Sequence, residues 1–112
     1  MIYKHKELAS GRWFKLSFFE QMANIGSEVE RAILWREKKK EYSILAMERA
    51  LELLDLTVTD AKNKTAPRLK ELMRVRETLV DYFYFDNQYS STDKLWRSYF
   101  YAFNYAVRVN KL

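Results

Sequence analysis

Leu16-Ser17-Phe18-Phe19-Glu20-Gln21-Met22-Ala23-Asn24-Ile25-Gly26-Ser27-Glu28-Val29 opens on a capping box. The Ser17 hydroxyl accepts from the backbone N–H three residues on, and Glu20 reaches back to the Ser17 N–H, so a helix starts at Phe18. Phe18, Met22, Ile25, Val29 and Ala32 then recur at steps of four, three, four and three. That spacing lays one apolar seam along one side of the helix, with Trp35 ending an adjacent row. Nothing between Gly26 and Thr57 breaks a helix, yet a single helix from Phe18 to Leu56 would run about 58 Å at 1.5 Å per residue. A chain of 112 residues cannot bury the apolar face of so long a rod. The polar run Arg36-Glu37-Lys38-Lys39-Lys40-Glu41 is therefore the place for a turn, and the first helix is predicted at 18–37.

The same reasoning carries outward. Tyr42, Leu45, Ala46, Ala50, Leu53 and Leu54, flanked by Ile44, Met47 and Leu51, predict a second helix over 41–57 whose wide apolar stripe meets two neighbours. Residues 57–65 are polar and weak in helix formers, and Pro67 follows, a residue tolerated only in a first helical turn. A third helix over 66–84 buries Leu69, Leu72, Met73, Leu79, Val80 and Phe83. Ser91 or Thr92 caps a fourth over 93–109, where Asp93 complements the helix dipole and the seam is Trp96, Tyr99, Phe100, Phe103 and Val107. Four amphipathic segments with short connections define an all-α, antiparallel up-down-up-down four-helix bundle over 17–112. Residues 1–16 form an N-terminal extension whose Trp13, Phe14 and Leu16 lie over the open bundle end.

Composition agrees with this reading. Two glycines and one proline are too few for the turns of a sandwich or a barrel, and 48% apolar residues suffice for one core. Absent cysteine excludes disulfides and thiolate chemistry. No apolar run reaches the ~18 residues of a membrane span, and Met1 to Glu7 are not followed by a signal-type apolar stretch, so the cytoplasm is the expected location. The sequence shows no internal repeat.

Little in the chain is equipped for catalysis. The only histidine is His5, outside the bundle, so a di-iron site built on Glu-x-x-His pairs fails, and the usual base for a serine nucleophile is missing. Gly11 and Gly26 form no phosphate loop. Magnesium needs carboxylates alone, and Glu48, Glu52 and Asp55 share one strip of the second helix, with Glu28 and Glu30 on the first. Glu52-Leu53-Leu54-Asp55 is similar to half of the site of the all-α nucleotide pyrophosphohydrolases of the MazG type. The partner half departs from that pattern, since Ala23, Asn24 and Ser27 stand where carboxylates belong. Glu28 with Arg31, Arg74 with Glu77, and Glu77 with Asp81 are spaced to form a register-fixing polar network. Asn24 and Ser27 beside Gly26 allow a close helix approach.

Two features point to a partner. On the fourth helix Lys94, Arg97, Tyr101, Tyr105 and Arg108 follow at three, four, four and three, a basic and aromatic stripe opposite the core seam. Tyrosine with arginine makes both base-stacking surfaces and protein interfaces. In an up-down-up-down bundle, one pole also collects Lys4, Lys6, Arg12, Lys15, Lys62, Lys64, Arg68, Lys70, Arg108 and Lys111 against Glu7, Asp55, Asp60 and Glu71. This local excess exceeds the formal net charge of +5 for the whole chain, and clustered cations of this kind bind phosphates by releasing counterions.

Over residues 16 to 110, in helix count, size, charge, aromatic content and the local stretch Ala23-Asn24-Ile25-Gly26-Ser27-Glu28, the chain resembles the small basic four-helix proteins encoded in 23S ribosomal RNA intervening sequences and the accessory variability determinants of diversity-generating retroelements. The resemblance implies ring-shaped homo-oligomers and, for the retroelement proteins, binding to nucleic acid and a reverse transcriptase. No family functional residue is carried over. The expectation is a non-enzymatic nucleic-acid-binding accessory protein without cofactor, catalytic residue or metal ligand. Its contact surface is Lys62, Lys64, Arg68, Lys70, Lys94, Arg97, Tyr101, Tyr105 and Arg108, with RNA, DNA, a second copy or a protein as partner and no membrane. The alternatives are a self-assembling scaffold that uses the same stripe and a magnesium-dependent all-α nucleotide pyrophosphohydrolase.

Overall fold

The computed structural model describes residues 11–110. They form four helices, α1 (Phe18–Trp35), α2 (Lys40–Thr59), α3 (Ala66–Tyr84) and α4 (Asp93–Asn110), with short 3-10 turns at Arg12–Lys15 and Ala61–Asn63. The fold is all-α, and the described residues contain no strand. No described helix is long and apolar enough to cross a membrane.

Local chemistry sets each start. The Ser17 hydroxyl accepts from Glu20 N at 3.1 Å and the Glu20 carboxylate accepts from Ser17 N at 3.0 Å, the reciprocal pair of a capping box. Thr65 caps α3 with Pro67 in the first turn, and Thr92 accepts from Leu95 N at 3.1 Å to cap α4. Between α1 and α2, the amides of Lys38 and Lys39 both fold back onto the carbonyl of Trp35. Between α3 and α4, the buried Asp81 carboxylate accepts from Gln88 N at 2.9 Å and Tyr89 N at 3.1 Å. Asn87 and Ser90 there adopt φ of 53° and 55°.

Paired contacts run in opposite senses along α1 and α2, along α3 and α4, and along α1 and α4, while α2 meets α3 at Asp55. Ser43 meets Ala32 while Asp60 meets Gln21; Asp55 meets Arg76; Tyr82 meets Asp93 while Tyr99 meets Glu71; and Arg36 meets Asp93 while Phe18 meets Phe103. α1 is the central rod, packed closely on α2 and α4, and of the helices that follow one another in the chain α3 and α4 pack least closely. The core draws on Met22, Ile25 and Val29 of α1, Met47 and Leu54 of α2, Leu72 and Leu79 of α3, and Trp96 and Phe100 of α4.

Four assignments of faces change. On α2, Tyr42 and Leu45 are exposed, and the inward row is Ser43, Ala46, Ala50, Leu53 and Thr57. The Ser43 hydroxyl donates to the Ala32 carbonyl at 2.6 Å, so a small polar side chain takes the inward place and turns Tyr42 out against Trp35. On α3, Met73 is exposed and Val75 is buried, because the seam Leu72, Val75, Leu79 leaves the residue after Leu72 about 100° around the helix. Phe103 is half-buried on the edge of the core, where Phe18 meets it edge-on. Helix α2 runs to Thr59, past the expected end, because Thr57 is buried and donates to the Leu53 carbonyl at 2.7 Å.

Trp13 is 2% exposed and lies over the end of the bundle where α1 begins and α2 ends. Its indole N–H donates to Thr57 Oγ1 at 3.0 Å and its carbonyl accepts from Gln21 Nε2. The expectation for the rest of the N-terminal extension, residues 1–10, lies outside the described residues.

Candidate nucleic-acid interface

The stripe on α4 exists as a continuous outer face. Lys94, Arg97, Tyr101, Tyr105 and Arg108 are all exposed, while Trp96 and Phe100 on the same helix are buried. The rings of Tyr101 and Tyr105 have centroids 6.5 Å apart and planes tilted by 30°, and each residue is 57% exposed. The Arg108 guanidinium stands 5.8 Å from the Tyr101 ring centroid and donates to its hydroxyl at 3.4 Å. At the other end of the stripe, Arg97 Nε is held by both oxygens of Glu30, at 3.0 and 2.9 Å. That hydrogen bond raises the Arg97 pKa and ties α4 to α1.

The basic pole divides into structural and outward-facing cations. Lys4, Lys6, Glu7 and Lys111 lie outside the described residues. Lys62 folds onto Asp60 and donates to the Phe14 carbonyl at 3.0 Å. Arg68 lies 4.4 Å from the Phe18 ring centroid and reaches the Asn63 side chain and the Lys62 carbonyl. Both residues were expected as contact residues, and the structure gives them work inside the fold. Lys15, Lys64 and Lys70 are exposed and form no ion pair among the described residues. Asp55 is taken by Arg76 at 2.9 Å, and Glu71 accepts the Tyr99 hydroxyl at 2.7 Å.

Beneath this pole lies a buried polar network that the sequence did not announce. Gln21 Nε2 donates to Asp60 at 2.8 Å, and Asn63 Nδ2 donates to Gln21 Oε1 and to the Thr57 carbonyl, each at 3.0 Å. Gln21, Thr57 and Asn63 are fully enclosed. Burial works to raise the Asp60 pKa, but hydrogen bonds from Lys62 and Gln21 outweigh it and hold the carboxyl below its usual range.

The carboxylates that the magnesium-dependent alternative requires do not gather around a common point among the described residues. Glu28 is bound by Arg31 at 2.5 Å and Asp55 by Arg76, and no three acidic or histidine side chains among the described residues stand close enough to hold a metal ion. The expected pair between Arg74 and Glu77 is also absent among the described residues: Glu77 accepts the Tyr89 hydroxyl and Asp81 serves the α3–α4 connection. The chain matches no protein-family model, no curated protein and no solved structure.

Proposed function

We propose that the protein is a non-enzymatic, cytoplasmic accessory factor that binds nucleic acid along α4 and the adjoining basic pole. The observation that carries this reading is the exposed series of Tyr101, Tyr105 and Arg108, in line with Lys94 and Arg97. Two tyrosine faces open to solvent offer stacking sites that any base fits, and such stacking is worth about 1–3 kcal/mol per base. Arg108 and the exposed Lys64 and Lys70 supply the cations that phosphates require, without a groove-reading element, so binding follows shape and charge more than sequence. A mobility-shift titration with single- and double-stranded DNA and RNA at two salt concentrations tests it. Retardation that weakens as salt rises is expected; no retardation at low salt, or binding indifferent to salt, refutes it.

A second reading has its own observation. Leu34, Trp35, Tyr42, Ile44 and Leu45 are exposed around the α1–α2 turn, and an exposed apolar patch of this kind suits a protein contact. This favours a self-assembling scaffold, and light scattering at tens of micromolar decides it, because a strict monomer removes that reading.

A further inference from the structure

Helices α3 and α4, loosely packed on each other, leave an open groove between them. Tyr82 is tied to Asp93 near one end of α3 and α4, and Tyr99 to Glu71 near the other. Between these ties lies a cavity of about 610 Å³. That volume falls within the roughly 300–1,000 Å³ of small-molecule sites.

Its walls have a definite chemistry. Val75 and Trp96, both buried, line it together with Tyr99 and with Leu95, which is 59% exposed, so the groove is mostly apolar and aromatic. The Trp96 indole N–H is enclosed and has no hydrogen-bond partner among the described residues. Lys70 and Arg74 stand one turn apart on the α3 side, both exposed and neither in an ion pair among the described residues. The one acid in the lining, Glu71, already accepts the Tyr99 hydroxyl at 2.7 Å.

We propose that the groove between α3 and α4 binds a small organic anion with an apolar body, of which a medium-chain monocarboxylate is the simplest case. The carboxylate sits against Arg74 and Lys70, and the chain lies over Val75, Trp96 and Tyr99. The two cations supply the charge complement, and the volume of the groove suits a small molecule. Lys70 also belongs to the surface proposed for nucleic acid, whereas Arg74 does not, so Arg74 is the residue that tells the two sites apart.

Isothermal titration of the full chain with decanoate, at concentrations below micelle formation, tests the proposal, with decylammonium as the chain-matched cation. The parent binds one decanoate and takes decylammonium at least tenfold more weakly. Arg74→Glu lowers decanoate affinity at least tenfold while nucleic-acid retardation stays as in the parent. Thr78→Trp, which places an indole in the groove, abolishes decanoate binding, and thermal melts establish that each variant is folded. Should Thr78→Trp fail to fold, Arg74→Glu decides, because its side chain is exposed. No heat from the parent, equal affinity for decylammonium, or undiminished decanoate binding by Arg74→Glu overturns the proposal.

Discussion

A methyl group on Gly26 would stand 2.6 Å from Cβ and 2.8 Å from Cγ of Phe100, inside any contact real carbon atoms tolerate. Phe100 is buried and stacked on Trp96, so it has little room to retreat. Gly26→Ala should therefore destabilise the fold by about 1–3 kcal/mol, the range of overpacked cores, despite alanine's better helix propensity. Urea unfolding measures it, and a variant as stable as the parent would show that α1 and α4 can part without cost. Asp60 sets a second residue-level expectation. Burial works to raise its pKa, yet the hydrogen bonds from Lys62 and Gln21 bring it below the ordinary value. A carboxyl whose pKa is lower folded than unfolded contributes stability that is complete above the unfolded value, about 3.9, and is lost as pH falls through the folded one. Thermal melts should fall steeply below about pH 4, and Asp60→Asn should melt lower at neutral pH while losing part of that acid dependence. An unchanged acid limb in Asp60→Asn would remove Asp60 as its source.

Within α4, opposite faces carry opposite consequences. Phe100 is 4% exposed and meets Trp96, Tyr99 and Gly26, so Phe100→Ala should cost about 3–5 kcal/mol. Tyr101 is one residue on and 57% exposed, so Tyr101→Ala should leave stability within about 0.5 kcal/mol of the parent while weakening nucleic-acid retention. Chemical unfolding beside a mobility-shift assay separates these outcomes, and equal losses of stability in both variants would mean that Tyr101 packs in the fold. This division was legible in the sequence because Trp96, Phe100 and the stripe obey one helical period, and the start of α1 was legible because a capping box is complete within four residues. The rotation of α2 was not. Its apolar residues cover most of its circumference, and Ser43 faces inward only because the Ala32 carbonyl, on another helix, accepts its hydroxyl. Nor was the polar network under the basic pole, since Trp13 with Thr57, Gln21 with Asp60 and Asn63 with Gln21 pair across 44, 39 and 42 residues. The groove between α3 and α4 follows from how far two helices stand apart, which no period in either records.

Across the whole molecule, counting cations overstates what a polyanion can use. Lys62 belongs to Asp60 and the Phe14 carbonyl, Arg97 to Glu30, and Arg76 to Asp55, so these side chains would have to break a contact to reach a phosphate. Lys64, Lys70 and Arg108 have no ion pair among the described residues, and Arg108 leans on the Tyr101 ring. Each cation that does engage a phosphate adds roughly 0.7 to the slope of log affinity against log salt for a single strand, and roughly 0.9 for a duplex. Lys64→Ala and Lys70→Ala should therefore each flatten that slope by roughly this step and leave melting unchanged. Lys62→Ala should do the reverse, lowering the melting temperature because Asp60 loses its cation within a buried network, with the slope as in the parent. Fluorescence anisotropy over a salt series, run below every melting point, reads both quantities. If Lys62→Ala flattens the slope as much as Lys64→Ala does, the ion pair with Asp60 opens on binding and the pole is more pliable than its hydrogen bonds imply. If Lys64→Ala and Lys70→Ala leave the slope untouched, the phosphates lie along α4 alone, and Lys94 and Arg108 are the cations to remove next.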